Sequence, residues 1–232
     1  MSATVPTADW DHIIVGAGSA GCVLAQRLSA AGRRVLLIDT DSTGVLGTWH
    51  KRAEAAGLGS PLLRSVSVES VGAVDRRIEQ VYAADSADFI FIDTAGVGAE
   101  WSDGIAVLAD HIVTPVMLST SDLDVGAQTA DWFEKLRARV DDPASLPRHH
   151  VVLNMVDPKT TRADAALIEA AIARFPVVET VMMRRNVYKE MDEKGLLHAV
   201  GARQARAAQP GGQLGRVGQQ DAGLLVQLAR RG

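Results

Sequence analysis

The chain has 232 residues, of which 47% are hydrophobic and 22% charged, with a net charge of −4; this excludes a wholly disordered chain and suits one soluble domain, or one with a small appendage. Apolar runs such as 89–92 and 113–118 fall far short of the roughly 20 residues that cross a bilayer, so no membrane span is expected. Cys22 is the single cysteine, which excludes a disulfide framework and a cysteine-based zinc site and points to the cytoplasm. Asp9 and Asp11 precede any apolar run and no basic stretch comes before them, so no signal peptide is expected. Mild acidity argues against a protein coated in nucleic acid and leaves room for a local basic patch.

Taken in chain order, strands are predicted at 12–15, 35–39, 89–93, 111–118, 150–155 and 177–182. They are rich in Val and Ile and apolar on consecutive positions, the pattern of strands buried on both faces in a parallel sheet. Helices are predicted over 122–140, with apolar residues at Ala130, Phe133, Leu136 and Val140, and over 161–175, with Ala165, Ile168, Ile172 and Phe175. Thr161 followed by Asp164 resembles a capping box. The alternation predicts a three-layer α/β sandwich with a mostly parallel sheet over about residues 10–200, P-loop NTPase-like or Rossmann-like. Residues 201–218 hold five glycines, Pro210 and three arginines without an acid, which reads as a basic linker, and 222–231 as a short terminal helix.

Gly16, Gly18 and Gly21 form G-x-G-x-x-G between the first strand and a helix, and Asp39 ends the next strand. In a dinucleotide site the first glycine makes the turn, the second admits a pyrophosphate, and the third packs helix on strand. The helix N-terminus faces the phosphates and the acid holds a ribose hydroxyl. Residues 10–32, with the phrase HIIVGAGSAGCVLA, resemble the start of the glucose-methanol-choline flavin oxidoreductases, which implies FAD or NAD as cofactor.

From Arg33 onward the chain resembles another family, the ParA/MinD-like partition ATPases. The phrases that carry the resemblance are RRVLLIDTDSTGVLGTW (33–49), DFIFIDTAG (88–96), ADHIVTPVMLSTSDLD (109–124), VVLNMVDPKT (151–160) and RRNVYKEMDEKG (184–195). They span residues 33–200 in family order. The resemblance implies ATP or ADP with Mg²⁺, with Asp93 holding a metal-bound water and Asp41 positioning the attacking water or the switch. It implies Gly96 beside the terminal phosphate and Asn154 reading adenine. Asp39 serves both families, as ribose acid or as first Asp of D-x-D. Each position has a plainer reading: Asp93 as a helix cap, Asp41 and Gly96 as turn residues, Asn154 as a strand-end amide bonding the local backbone. The family further implies a nucleotide-dependent homodimer, a partition adaptor protein, and DNA bound without sequence preference, here through Arg184, Arg185, Lys189 and the linker arginines; a solvated charged face is the plainer reading of those.

The two resemblances collide at the first loop. The ATPases carry a lysine and a hydroxyl there, whereas no lysine precedes Lys51 and Gly21 is followed by Cys22 and Val23. The lysine neutralises the phosphates and the metal spreads transition-state charge, so their loss predicts poor ATP turnover. The ATPases also typically space the loop glycine and Gly32 about five residues further apart, about 7.5 Å of helix. A shorter helix suits a sheet whose first two strands are neighbours, as in flavin domains, so a hybrid strand order or a strained connection is expected. Three readings stand: a partition protein with a replaced loop, a flavin- or nicotinamide-binding protein, and a recombined inactive chain.

Overall fold

The computed structural model describes residues 12–15 (backbone only), 25, 27–94 and 101–186. Six strands form one sheet: β1 (His12–Val15), β2 (Val35–Asp39), β3 (Leu63–Ser67), β4 (Phe89–Asp93), β5 (His111–Met117) and β6 (Arg148–Asn154). Every pairing is parallel and the order is β3-β2-β4-β1-β5-β6. The helices are α1 (Val45–Ala55), α2 (Val71–Ala84), α3 (Ser102–Ala106), α4 (Thr120–Arg137) and α5 (Arg162–Arg174).

The expected parallel sheet is present, and β1 and β2 are not neighbours, although a short first connection would suit that arrangement better. β4 lies between β1 and β2, paired to β1 from His12↔Phe89 to Val15↔Ile92 and to β2 from Val35↔Phe89 to Asp39↔Asp93. Crossing β4 adds one strand spacing, about 4.8 Å, to the lateral step, and the described end of the connection closes in a regular turn. Residues 27–30 are helical, Arg33 N–H donates to the Leu28 carbonyl at 3.0 Å, and Gly32 takes φ +84° at the stop. A positive φ of this kind suits glycine and ends a helix in little length. The order also differs from the Rossmann sequence 3-2-1-4-5-6.

β2 and β4 are the centre of the fold because both of their faces are covered. Val35, Leu37, Phe89 and Phe91 pack with Leu46 and Trp49 of α1 on one face. Leu36, Ile38, Ile90 and Ile92 pack with Val74 and Ile78 of α2 and Ile105 of α3 on the other. Leu37, Ile38, Phe91 and Ile92 are fully buried, and each such side chain contributes about 1.5–3 kcal/mol of transfer free energy. A second cluster joins Val116 of β5, Val151 and Leu153 of β6, Leu123 of α4, and Ala171 and Phe175 at the end of α5.

The predicted capping box on α5 is formed: Thr161 Oγ1 accepts from Asp164 N at 3.1 Å while Asp164 Oδ2 accepts from Thr161 N at 2.7 Å. The strand expected at 177–182 is reduced to two single parallel bridges, Val151↔Val177 and Val156↔Met183. β3, α1 and α2 lie in the stretch between residues 40 and 88, where the sequence marked no element. The linker and terminal helix expected over 201–232, and Lys189, lie outside the described residues.

Candidate functional site

A parallel sheet brings the C-terminal ends of all its strands to one edge. There the order of residues is Ser67, Asp39, Asp93, Val15, Met117 and Asn154, one from each strand in sheet order. The chain leaves β1 toward β2 on one side and β5 toward β6 on the other, so the connections diverge between β1 and β5. Open α/β sheets bind ligands at that divergence, outside the carboxyl ends of the strands. β1 pairs β5 only from Ile14↔His111 to Val15↔Ile112, while β5 runs on beside β6 to Met117↔Asn154.

Asp39 and Asp93 are register partners, yet their environments differ. Asp39 is 1% exposed. Its Oδ1 accepts from Asp41 N at 3.1 Å and its Oδ2 from Gly47 N at 3.1 Å. Gly47 is the third residue of α1, whose N-cap is Gly44 with no side-chain cap. Gly44 has no side chain to accept an orphan N–H of the first turn, so a carboxylate from β2 does it, with the added attraction of an anion to the helix N-terminus. Asp93 is half-buried at the rim. Its backbone carbonyl accepts from both Thr40 N at 3.0 Å and Thr40 Oγ1 at 2.6 Å, which clamps the end of β2 onto β4.

Asp41 stands past the end of β2 and is half-buried; its Oδ1 accepts from Thr43 N at 2.9 Å, an Asx turn that leads into α1. Asn154 ends β6, and its Oδ1 accepts from Met155 N at 2.9 Å. Met155 takes φ +53°, an unusual conformation for a side-chain-bearing residue. Asp93 and Asn154 are separated by β1 and β5, three strand spacings or about 14 Å. The structure therefore brings Asp39, Asp41 and Asp93 together at one end of the edge and puts Asn154 at the other, with the end of β1 between them. Gly16, Gly18, Gly21 and Gly96 lie outside the described residues.

Two further polar groups on this edge went unmarked in the sequence. Thr40 is the β2–β4 clamp already described. Ser119, just past β5, caps α4 by accepting from Asp122 N at 3.1 Å, and its hydroxyl donates to the Asp122 carboxylate. The signal was present as Ser119-x-x-Asp122, the same spacing that marked α5.

Among the described residues no three His, Cys, Asp or Glu side chains form a metal-holding group. The donor set at the acid end can hold water on a hard cation through Asp93, and it supplies no lysine for phosphate. The histidines lie elsewhere. His149 and His150 point to opposite faces of β6, as adjacent strand residues must. His150 Nε2 meets His111 Nδ1 at 3.0 Å, and His149 Nε2 meets Thr114 Oγ1 at 3.0 Å beside the Phe133 ring. Burial, reinforced by the charge of His150, pushes the His149 pKa down to about 4. No described helix is long and apolar enough to cross a membrane.

Comparison with known proteins agrees with this geometry. Protein virC1 of Rhizobium rhizogenes is 25% identical over 177 residues, covering 75% of this chain and 74% of that protein. Protein virC1 of Rhizobium radiobacter is 24% identical over the same length and similar shares. An oxygen-dependent choline dehydrogenase of Photobacterium profundum is 69% identical over 29 residues, which are 12% of this chain and 5% of that one. Among solved structures, the MinD cell division protein of Aquifex aeolicus superposes with a TM-score of 0.58 at 13% identity, covering 87% of this chain and 99% of its own. Apo McdA of Cyanothece gives 0.59 at 13% identity over 83% and 93%, and its ATP complex 0.53 at 13% over 87% and 98%. The fold is thus the one seen in these MinD and McdA structures. The VirC1 protein family profile matches residues 13–217, nearly the whole of the sheet and its helices, and the chain belongs to the VirC1 family.

Proposed function

We propose that this chain is a ParA/MinD-like partition protein of the VirC1 family that binds adenine nucleotide along the C-terminal edge of its sheet and turns over ATP slowly. The observation that carries the reading is the strand order. β4 stands between β1 and β2, so the acid that ends β4 is beside the C-terminal end of β1 and the acid that ends β2 is one strand further out. The likeness of the fold to a McdA–ATP complex supports the choice of ligand.

In this reading Asp93 orients a water on Mg²⁺, Asp41 positions the attacking water or the switch, and Gly96 gives its backbone to the terminal phosphate. Gly16, Gly18 and Gly21 admit the phosphates, and Asn154 reads the base. Asp39 acts by holding the turn that carries Asp41. Bound Mg²⁺ would spread charge on the phosphates; the chain has no lysine before Lys51 to share that task, hence the slow turnover. The partition reading also brings a nucleotide-dependent homodimer, a partition adaptor, and non-specific DNA contacts through Arg185 and Arg184, the latter within 3.4 Å of Asp157, with Lys189 beyond them.

The test is thermal unfolding of the purified chain with Mg·ATP, Mg·ADP, FAD or NAD in excess. A ligand at about 100 times its Kd adds about 2.7 kcal/mol, a rise of roughly 5–10 °C for a chain of this size. A rise with the adenine nucleotides alone is expected. A rise with FAD or NAD alone would sink the proposal in favour of the glycine fingerprint, and no rise would favour an inactive chain. Phosphate release at ordinary ATPase rates would refute the slow turnover.

A further inference from the structure

We propose that the open edge of β3 is a docking slot for an extended, acidic segment of another protein, added as a seventh strand. The argument begins with the backbone. β3 ends the sheet, so among the described strands it pairs only with β2. Val35 N donates to the Leu62 carbonyl and Val68 N to the Asp39 carbonyl. In a parallel ladder alternate residues turn toward the same neighbour, so residues 62, 64, 66 and 68 face β2 and residues 63, 65 and 67 turn their amides and carbonyls outward. Leu63 spends both of its groups locally: its N–H donates to Ser60 O at 3.0 Å and its carbonyl meets His50 Nε2 at 3.1 Å. Among the described residues Ser65 and Ser67 are left to offer theirs. Ser65 also carries a buried hydroxyl with no hydrogen-bond partner among the described residues.

The surroundings have the shape and charge for such a strand. α1 and α2 flank β3 on its two faces and enclose with it a cavity of about 720 Å³. Its floor includes Leu63 and Val66, and its walls carry Lys51 from α1, Arg64 from β3 and Arg77 from α2. None of these three cations is ion-paired to a described residue. Arg34, at the inner end, is held by Asp85 and Asp88. The one carboxylate on the wall is Glu54, 3.7 Å from His50 Nδ1.

Side chains of an added strand would point alternately to the α1 side, with Lys51 and Glu54, and to the α2 side, with Arg64 and Arg77. Acids at every second position would meet the two arginines. A second copy of β3 would bring Arg64 and Arg77 against their own images, and like charges on neighbouring strands repel. Charge therefore selects an acidic partner over self-pairing. The slot runs along the side of the sheet and meets the C-terminal edge assigned to nucleotide only at its Ser67 end, two strands from Asp93; peptide anisotropy and nucleotide-dependent Tm read the two sites separately.

The experiment is fluorescence anisotropy of the full chain with a short labelled peptide of alternating glutamate and valine. Two control peptides accompany it, one with lysine in place of glutamate and one N-methylated at alternate amides. Saturable binding of the glutamate peptide alone is expected. Ser65→Pro removes an outward N–H while leaving the β2 ladder whole, since proline is tolerated on that side of an edge strand. It should weaken binding about tenfold or more, the scale of one lost hydrogen bond. The double variant R64E/R77E should do the same. Equal binding of the N-methylated peptide, or unchanged binding by S65P, would overturn the proposal. Where S65P fails to fold, the methylated peptide on the unmodified chain decides. No binding by any peptide, or a doubled mass in solution that R64E/R77E changes, would assign the edge to protection or to a second copy instead.

Discussion

Replacing Asp39 separates its structural task from a ligand-binding one. The carboxylate is 1% exposed and accepts two backbone N–H groups, from Asp41 and Gly47, each at 3.1 Å. Asp39→Ala leaves both donors buried without a partner, at about 1–3 kcal/mol each. It also removes an anion from the start of α1, about 0.3–1 kcal/mol. Allowing for relaxation of the turn, the expected loss is about 3–4 kcal/mol. Asp39→Asn keeps one acceptor but sets an NH₂ group against the other donor, so about 2 kcal/mol is expected. The assay is urea unfolding followed by circular dichroism, without ligand. A cost below about 1 kcal/mol for Asp39→Ala would refute the reasoning, because a buried anchor cannot be lost so cheaply. If Asp39→Asn kept full stability and lost only ligand-dependent stabilisation, Asp39 would be a ribose or phosphate contact instead.

Four other outcomes are expected. Gly47→Ala should stabilise the chain by about 0.5–1 kcal/mol through helix propensity, since a Cβ there meets Ser67 Oγ at 3.4 Å, an ordinary contact. Gly104→Ala should destabilise it, because its Cβ would lie 2.9 Å from Val71 Cγ1; urea midpoints of the two variants that moved the same way would contradict the packing described. Because the His149 pKa is depressed to about 4 in the folded chain, the unfolded chain takes up the proton first. Stability is therefore full above the ordinary histidine pKa and is lost as pH falls from there toward about 4, by up to about 3 kcal/mol before discounting for partial exposure. His149→Gln should flatten that part of the stability–pH curve, and an unchanged slope would refute it. Asp93→Ala should abolish the Mg·ATP-dependent rise in Tm while leaving the clamp of β4 to Thr40 in place, because that clamp uses the backbone carbonyl; an undiminished rise would remove Asp93 from the site.

The elements that were legible are those whose burial is complete. β2 and β4 are apolar at consecutive positions because α1 and α2 cover opposite faces of the same strands, and their bounds match the sequence reading residue by residue. β3 was missed for the converse reason. Leu-Arg-Ser-Val-Ser is an edge strand with only Leu63 fully buried, so it shows no continuous apolar run. The acids at the ends of β2 and β4 were visible as a group, because strand-ending acids in a parallel sheet must share an edge. Which of them is turned inward was not visible. That depends on Gly47, eight residues beyond Asp39, and on an N-cap glycine that leaves the first turn of α1 in need of an acceptor.

The strand order bears directly on the chain's two resemblances. A sheet order is set by which strand can satisfy two neighbours at once. β4 does this with its whole length, pairing β2 over five positions and β1 over four in one register. Its partners are bought by residues on both sides of the collision at Arg33, since Val35–Asp39 comes from the partition-like body and His12–Val15 from the flavin-like phrase. The flavin order would place β1 directly against β2 and leave β4 to pair elsewhere, exposing the Phe89–Ile92 run that now sits between two strands and under two helical layers. Burying that run on both faces favours the observed order, and the described end of the first connection closes in a turn at Gly32. The body therefore dictates the position of β1. At the described edge Asp39 is engaged by the turn of Asp41 and the first turn of α1, and Asp93 is the acid that ends the strand beside β1.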